Sequence, residues 1–301
     1  MTDTKCGCQS LIAVDKEVTM KFHAGDRKFD LSRRVLLMGI LNVTPDSFSE
    51  NGVNQDATVA IDAGLKMVED GADVIDVGGE STRPNATPVD ADEEMRRIIP
   101  VIKELTKRTD VAVSVDTWKS NVAEAAVDAG ASIINDVTGF RRDPKMKTVA
   151  AKKKCGCVAM HMRGTPQTMQ SLTKYDNLVR EINDRFRDII SELTAAGVAE
   201  DSISLDPGIG FAKTTSQNLT IIQRLDELCE HGRPILLGPS RKSFIGKILD
   251  REKPVDRIWG TAAVASYAIS KGAGIIRVHD VPEMRQVIDM ATAIKYEEEQ
   301  P

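Results

Sequence analysis

The sequence predicts one (β/α)8 barrel of α/β class, a TIM barrel, preceded by a short N-terminal β-hairpin. Three observations carry that prediction. Short apolar runs alternate with amphipathic stretches from about residue 35 to the end, the rhythm of a parallel sheet with crossover helices. The repeats span roughly 265 residues, the size of a closed barrel. Polar residues gather at the carboxyl end of run after run, where a barrel carries its chemistry. A chain of 301 residues with 41% hydrophobic content is also long enough for two ordinary domains. An open doubly wound sheet is the structural alternative, but its ligand site would not draw on every strand end.

The elements follow in order. Residues 10–34 alternate in polarity and turn at Gly25-Asp26, so they read as a hairpin lying under the barrel floor, within an N-terminal extension of residues 1–34. The barrel then occupies 35–301. Its strands are "VLLMGIL" (35–41), "DVIDV" (73–77), "VAVSV" (111–115), "SIIN" (132–135), "CVAMHM" (157–162), "SISLD" (202–206), "PILLG" (234–238) and "GIIRV" (274–278). Between them, "DATVAIDAGLKMVEDG", "ADEEMRRIIPVIKELTKR", "KSNVAEAAVDAG" and "DNLVREINDRFRDIISELTAAG" repeat with helical period, and several stop at a glycine, as helices do.

The net charge of −5 is spread with both signs mixed, so no nucleic-acid or membrane surface is expected, and a small molecule is the default partner. No apolar run reaches the roughly 18 residues of a membrane span, and the first residues lack the charged and apolar regions of a signal peptide; a cytoplasmic location is expected. The five cysteines fall as Cys6/Cys8, Cys155/Cys157 and Cys229. Two C-G-C pairs could form a thiolate metal site, but C-x-C is not the usual spacing, and inert thiols are the plainer reading.

The strand ends deliver Asn42, Asp76 with Glu80, Asp116, Asn135 with Asp136, His161, Asp206, then Ser240, Arg241 and Lys242, and last Arg277, His279 and Asp280. Any one of the short polar residues could be a helix cap or turn residue. The set, however, includes arginine, lysine and two histidines, which capping does not call for. In "GPSRKSFIG", two adjacent cations open a helix whose dipole disfavours them, so they need an anionic or electron-rich partner, and Lys242 or Arg241 is free to point inward. Arg277 and His279, two apart on a strand, share a face and with the Asn42 amide would make a site for a diphosphate and an octahedral Mg²⁺. Asp116, Asn135 and Asp206 form an opposite side read as free of cations. There Asp206, an acceptor, suits a flat heterocycle with adjacent N–H donors.

"GILNVTPDSFS", "DVIDVGGESTRP", "VSVDT", "INDVTG", "MHMRGTPQTMQ", "LDPGIGF", "SRKS" and "RVHDV" occur in order along the barrel. Together they resemble the dihydropteroate synthase family of pterin-binding barrel enzymes. The resemblance implies joining of p-aminobenzoate to 6-hydroxymethyl-7,8-dihydropterin diphosphate, with release of diphosphate, in folate synthesis. It implies catalytic roles for Asp116, Lys242, Arg83 and Asp46, and a pterin site of Asp116, Asn135, Met160, Asp206, Phe211 and Lys242. Diphosphate would be held by Asn42, Thr82, Arg83, Arg277 and His279, with Asn42 also on Mg²⁺. Phe48, Thr82, Pro84, Lys242 and Ser243 would hold p-aminobenzoate. The loop carrying Asp46 and Phe48 is expected to become ordered only after pterin diphosphate binds, and a homodimer through the later helices is implied. "SENG", Trp118 and Pro239 depart from the family pattern. Two other readings fit a pterin barrel. A methyltransfer domain acting with a corrinoid is opposed by "NVTPDSF", "STRP" and "SRKS", and a catalytically silent paralogue by the presence of Asn42, Arg83, Lys242, Arg277 and His279.

Overall fold

The computed structural model describes residues 20–44, 53–81 and 87–297. An antiparallel hairpin of β1 (Lys21–Ala24) and β2 (Arg27–Asp30) turns at Gly25-Asp26 and precedes the barrel. The barrel strands are β3 (Leu36–Asn42), β4 (Val74–Gly78), β5 (Ala112–Asp116), β6 (Ile133–Asp136), β7 (Gly156–Met160), β8 (Ile203–Asp206), β9 (Ile235–Leu237) and β10 (Ala273–Val278). They close in chain order, with β10 beside β3, and every pair is parallel.

The connecting helices include α1 (Val53–Glu69), α2 (Ala91–Arg108), α3 (Ser120–Asp128), α4 (Met146–Lys153), α5 (Leu178–Ala195), α6 (Thr215–Gln223), the single turn α7 (Leu225–Leu228), α8 (Ser243–Leu249), α9 (Ile258–Ser270) and α10 (Val281–Tyr296). Their starts are chemically specified. Asp90 caps α2 by accepting from Glu93 N at 2.8 Å, and Thr214 and Gln217 form a reciprocal capping box on α6. Alternate strand residues such as Leu37, Ile75, Val113 and Ile134 face these helices and build the larger core.

The other strand face points into the barrel, and it is divided by height. Its lower part is apolar: Leu36, Met38, Val74, Ala112, Ile133, Val158, Leu236 and Ile275 cluster with Phe22, Ala24 and Leu31 of the hairpin segment. The hairpin is therefore the barrel's floor. Gly156 permits this closure, because a Cβ there would lie 2.9 Å from Phe22 Cζ and 3.1 Å from the His23 carbonyl oxygen. The upper part is polar, and parallel pairing sets its residues level with one another. Asn42 pairs with Gly78, Gly78 with Asp116, Asp116 with Asn135, and Met160 with Asp206.

Candidate active site

Arg277 dominates the mouth. Its Nε donates to Asp76 Oδ2 at 2.6 Å and its Nη2 to Asp116 Oδ2 at 2.7 Å. Asn135 Nδ2 donates to the same Asp76 oxygen at 3.0 Å, so strands β4, β5, β6 and β10 meet in one buried network. Burial works against the Arg277 charge, but the two carboxylates more than offset it and hold the guanidinium above its ordinary range. Burial pushes the Asp116 carboxyl upward, with Arg277 pulling it back and Asp76 adding repulsion. This corrects the reading of Asp116, Asn135 and Asp206 as a side free of cations. Strand alternation tells which way a residue points, but not how far a long guanidinium reaches across a barrel interior.

Asp206 ends β8 and accepts from Gly208 N at 2.7 Å, while burial raises its carboxyl against the pull of that hydrogen bond and of Lys242. The turn after it brings Phe211 under Lys242, whose ammonium sits 4.3 Å from the ring centroid. Burial lowers Lys242 to about 8, opposed by Asp206. Met160, Met162, Val137, Met169 and Ala212 with Phe211 form a small apolar cluster at this side of the mouth. A flat ring with polar edges fits such a wall, with apolar faces and a few fixed polar groups.

The two cations of "SRKS" divide their work. Arg241 has φ +57, in the left-handed region rarely taken by non-glycine residues. It is held there on several sides: its N–H donates to Thr261 Oγ1 at 3.2 Å, its carbonyl accepts from Arg257 Nη1 at 2.8 Å, and its guanidinium pairs with Asp280. That strained bend turns the next residue, Lys242, over Phe211. Ser243 begins α8 and is exposed. Strand β10 ends at Val278, so His279 lies in the turn beyond it, and its Nδ1 meets Ser240 Oγ at 2.9 Å. The expectation that Arg277 and His279 work as neighbours on one strand face is thereby modified: Arg277 reaches across the barrel and His279 bonds to the end of the preceding unit.

Other polar strand-end residues follow the plainer reading. Asp136 accepts from Thr138 N at 2.7 Å, Thr138 Oγ1 at 2.7 Å and Phe140 N at 3.0 Å, which makes it a turn organiser, with its carboxyl raised to about 6 by burial. Glu80 binds Lys119, which also binds the fully buried Glu94 of α2. Cys155 and Cys157 are buried free thiols, Cys155 pushed up to about 12 by burial. Cys6 and Cys8 lie outside the described residues, as do Asp46, Phe48, Thr82, Arg83 and Pro84. Asn42 closes β3 at the mouth, half-buried.

Lys213 escaped the sequence reading. It is buried, and its Nζ contacts His161 Nδ1 at 3.2 Å. Burial lowers Lys213 to about 7, and burial and the nearby Lys213 charge hold His161 well below its usual range. The only sequence signal was its place two residues beyond "DPGIGF", inside a turn already crowded with glycine.

A closed parallel barrel whose mouth sets buried carboxylates against enclosed cations beside an apolar ring wall is a small-molecule site of the barrel-enzyme class. A family model described as pterin binding enzyme matches residues 38–279. A dihydropteroate synthase from Synechocystis is 47% identical over 270 residues, covering 90% of this chain and 93% of that protein. The solved dihydropteroate synthase of Xanthomonas albilineans with 4-aminobenzoic acid superposes with a TM-score of 0.86 at 40% identity, covering 92% of this chain and 98% of that one. A structure from the same organism in complex with 7,8-dihydropteroate gives 0.83 at 37% identity, covering 91% and 98%. The chain belongs to the dihydropteroate synthase family of pterin-binding enzymes.

Proposed function

We propose that this protein condenses 6-hydroxymethyl-7,8-dihydropterin diphosphate with p-aminobenzoate to give 7,8-dihydropteroate and diphosphate, an alkyl transfer in folate synthesis. The observation that carries the reading is the meeting of Asp116, Asn135 and Asp206 with Arg277 and Lys242 at one mouth. Family membership and the ligands named for the two Xanthomonas albilineans structures support it.

In this reading the Asp206 carboxylate accepts from the adjacent N–H groups of the aminopyrimidinone, Asn135 and Asp116 meet its other edge, and Met160 and Phe211 flank the ring. The C–O bond to diphosphate breaks first, its electron pair leaving with the oxygen. Asp116 offsets positive charge growing on the pterin-methyl group. The neutral arylamine nitrogen then forms the C–N bond and loses a proton to water, so no strong general base is required. Exclusion of water from the pterin side protects the cation until the amine arrives. Arg277, His279 and Asn42, with Thr82 and Arg83, hold the departing diphosphate. Asp46 is assigned to the same diphosphate, and Phe48, Thr82, Pro84, Lys242 and Ser243 to p-aminobenzoate.

Among the described residues, no group of three or more His, Cys, Asp or Glu side chains is arranged to cage a metal. The proposed ion is Mg²⁺, which favours substrate phosphates and water over an all-protein cage and would take Asn42 as its protein oxygen. The ion would neutralise charge on the leaving diphosphate. A second copy of the chain is the expected partner. The exposed Trp259 of α9 and the exposed Met290 and Ile294 of α10 offer apolar surface for it. No helix among the described residues is long and apolar enough to cross a membrane.

Purified protein given both substrates and Mg²⁺ is expected to form dihydropteroate and diphosphate in equal amounts. Absence of product under those conditions would sink the assignment.

A further inference from the structure

Lys213 touches no side chain assigned to substrate, yet it is tied to the segments that carry them. It is 4% exposed. Its Nζ lies 3.0 Å from the carbonyl oxygens of both Gly208 and Phe211, 3.4 Å from that of His161, and 3.2 Å from His161 Nδ1. An ammonium has three N–H donors and no acceptor. All of them are directed at two places, the turn after β8 and the first residue beyond β7.

That turn is the one whose ends matter. Asp206 stands before it and Phe211 within it. Gly208, at φ +67, runs so close to β7 that a Cβ there would fall 2.2 Å from the His161 carbonyl oxygen. Its N–H holds Asp206 Oδ1, and His161 N donates to the Asp206 carbonyl oxygen at 2.8 Å. Tyr175 closes the outer side, its hydroxyl donating to the Ala212 carbonyl oxygen at 3.2 Å and its ring centroid 6.1 Å from that of His161. Lys213 thus satisfies carbonyls that point into the protein, where an unpaired acceptor is costly. It does so at the one turn that sets both a carboxylate and an aromatic wall of the site.

We propose that Lys213 is a positioning residue for the pterin substrate: it pins the turn 207–212 to the end of β7, so that Asp206 and Phe211 meet the ring in one geometry, and it holds His161 as the Nε2–H tautomer. While Lys213 is charged, below its value of about 7, the ammonium donates to Nδ1, so Nδ1 is the bare nitrogen and the ring proton sits on Nε2. The proposal rests on the assignment of this mouth to pterin.

The test uses the full chain with Lys213→Met, which keeps length and removes the donors. KM for the pterin diphosphate is expected to rise roughly tenfold or more, with kcat and the p-aminobenzoate KM at saturating pterin within about twofold. An unchanged pterin KM, or a fall confined to kcat, overturns the role. A measurement on the unaltered protein stands independently of the variant's folding. At a pH below the Lys213 value of about 7, ¹⁵N-histidine spectra are expected to show His161 with a protonated Nε2 and a bare Nδ1, and a protonated Nδ1 there overturns the geometry. If the unaltered protein makes no dihydropteroate, the functional assignment fails, while the histidine spectrum still decides the Lys213 contact.

Discussion

Arg277 Nη2 and Asp116 Oδ2 lie 2.7 Å apart across 161 positions of chain, joining the last barrel strand to the third through the interior. With Nε on Asp76 Oδ2, one planar guanidinium bridges two carboxylates on different strands. If Arg277 holds diphosphate as proposed, the substrate competes with these carboxylates for the same cation, and its binding is then coupled to the charge state of Asp116.

Arg277→Lys keeps the charge and loses the fork that reaches both carboxylates. The value of kcat/KM is expected to fall by about 10² or more, as when a preorganised electrostatic group is lost. Steady-state kinetics on both substrates would measure it, and a change under about twofold would show that the fork is dispensable.

Lys242→Ala is expected to raise KM for both substrates, because one ammonium is asked to serve the pterin and the p-aminobenzoate sites. An unchanged KM for each counts against that double role. Because burial lowers Lys242 to about 8, its charge is present below that pH and is lost above it. The pH profile of kcat/KM should therefore fall on an alkaline limb centred near that value. Lys242→Arg should shift or abolish the limb.

Chelation of Mg²⁺ with excess EDTA is expected to stop product formation while leaving binding of a pterin lacking diphosphate unchanged, since Asn42 is the one described residue assigned to the ion. Titration calorimetry with 6-hydroxymethylpterin separates the two. Loss of that binding on chelation would place the ion against the pterin ring instead.

Phe22→Ala is expected to destabilise the fold by about 3–5 kcal/mol by emptying the floor of the barrel. Gly156→Val should cost about 1–3 kcal/mol by forcing a side chain into Phe22 and the His23 backbone. Chemical denaturation measures both. Below the transition temperature, kcat should stay near that of the unaltered protein, because the floor lies at the opposite end from the mouth. A selective loss of kcat without loss of stability would contradict this division.

Lys119→Met should leave Glu94, which is fully buried, without its cation and cost about 3–5 kcal/mol. Adding Glu94→Gln should recover part of that loss. Additive effects in the double variant would mean that the two side chains do not act as a pair.

The order of elements was legible in the sequence because it is local. Apolar alternation marked each barrel strand to within a residue or two of its observed limits, and α1, α3 and α5 run out at Gly71, Gly130 and Gly197 as expected. The hairpin turn at Gly25-Asp26 was equally plain, and so was the polar character of the strand ends, since each is a property of neighbouring residues. Closure of those strands into a barrel followed from their number and spacing. What the tertiary structure alone decided was which polar groups meet. Residue type and strand-end position alone did not separate Asp136 from Asp116, which only the family resemblance singled out; the structure shows that one organises its own turn and the other receives Arg277. Helix-dipole reasoning left either Arg241 or Lys242 free to point inward, and a left-handed bend sends one to Asp280 and the other over Phe211. Lys213 carried little signal beyond its place after "DPGIGF", because two of its partners are carbonyls of its own turn and the other contacts are to His161, brought close by the pairing of β7 with β8. Strand periodicity fixes the direction of a side chain, whereas partners across a barrel depend on closure, reach and burial, which no local pattern encodes.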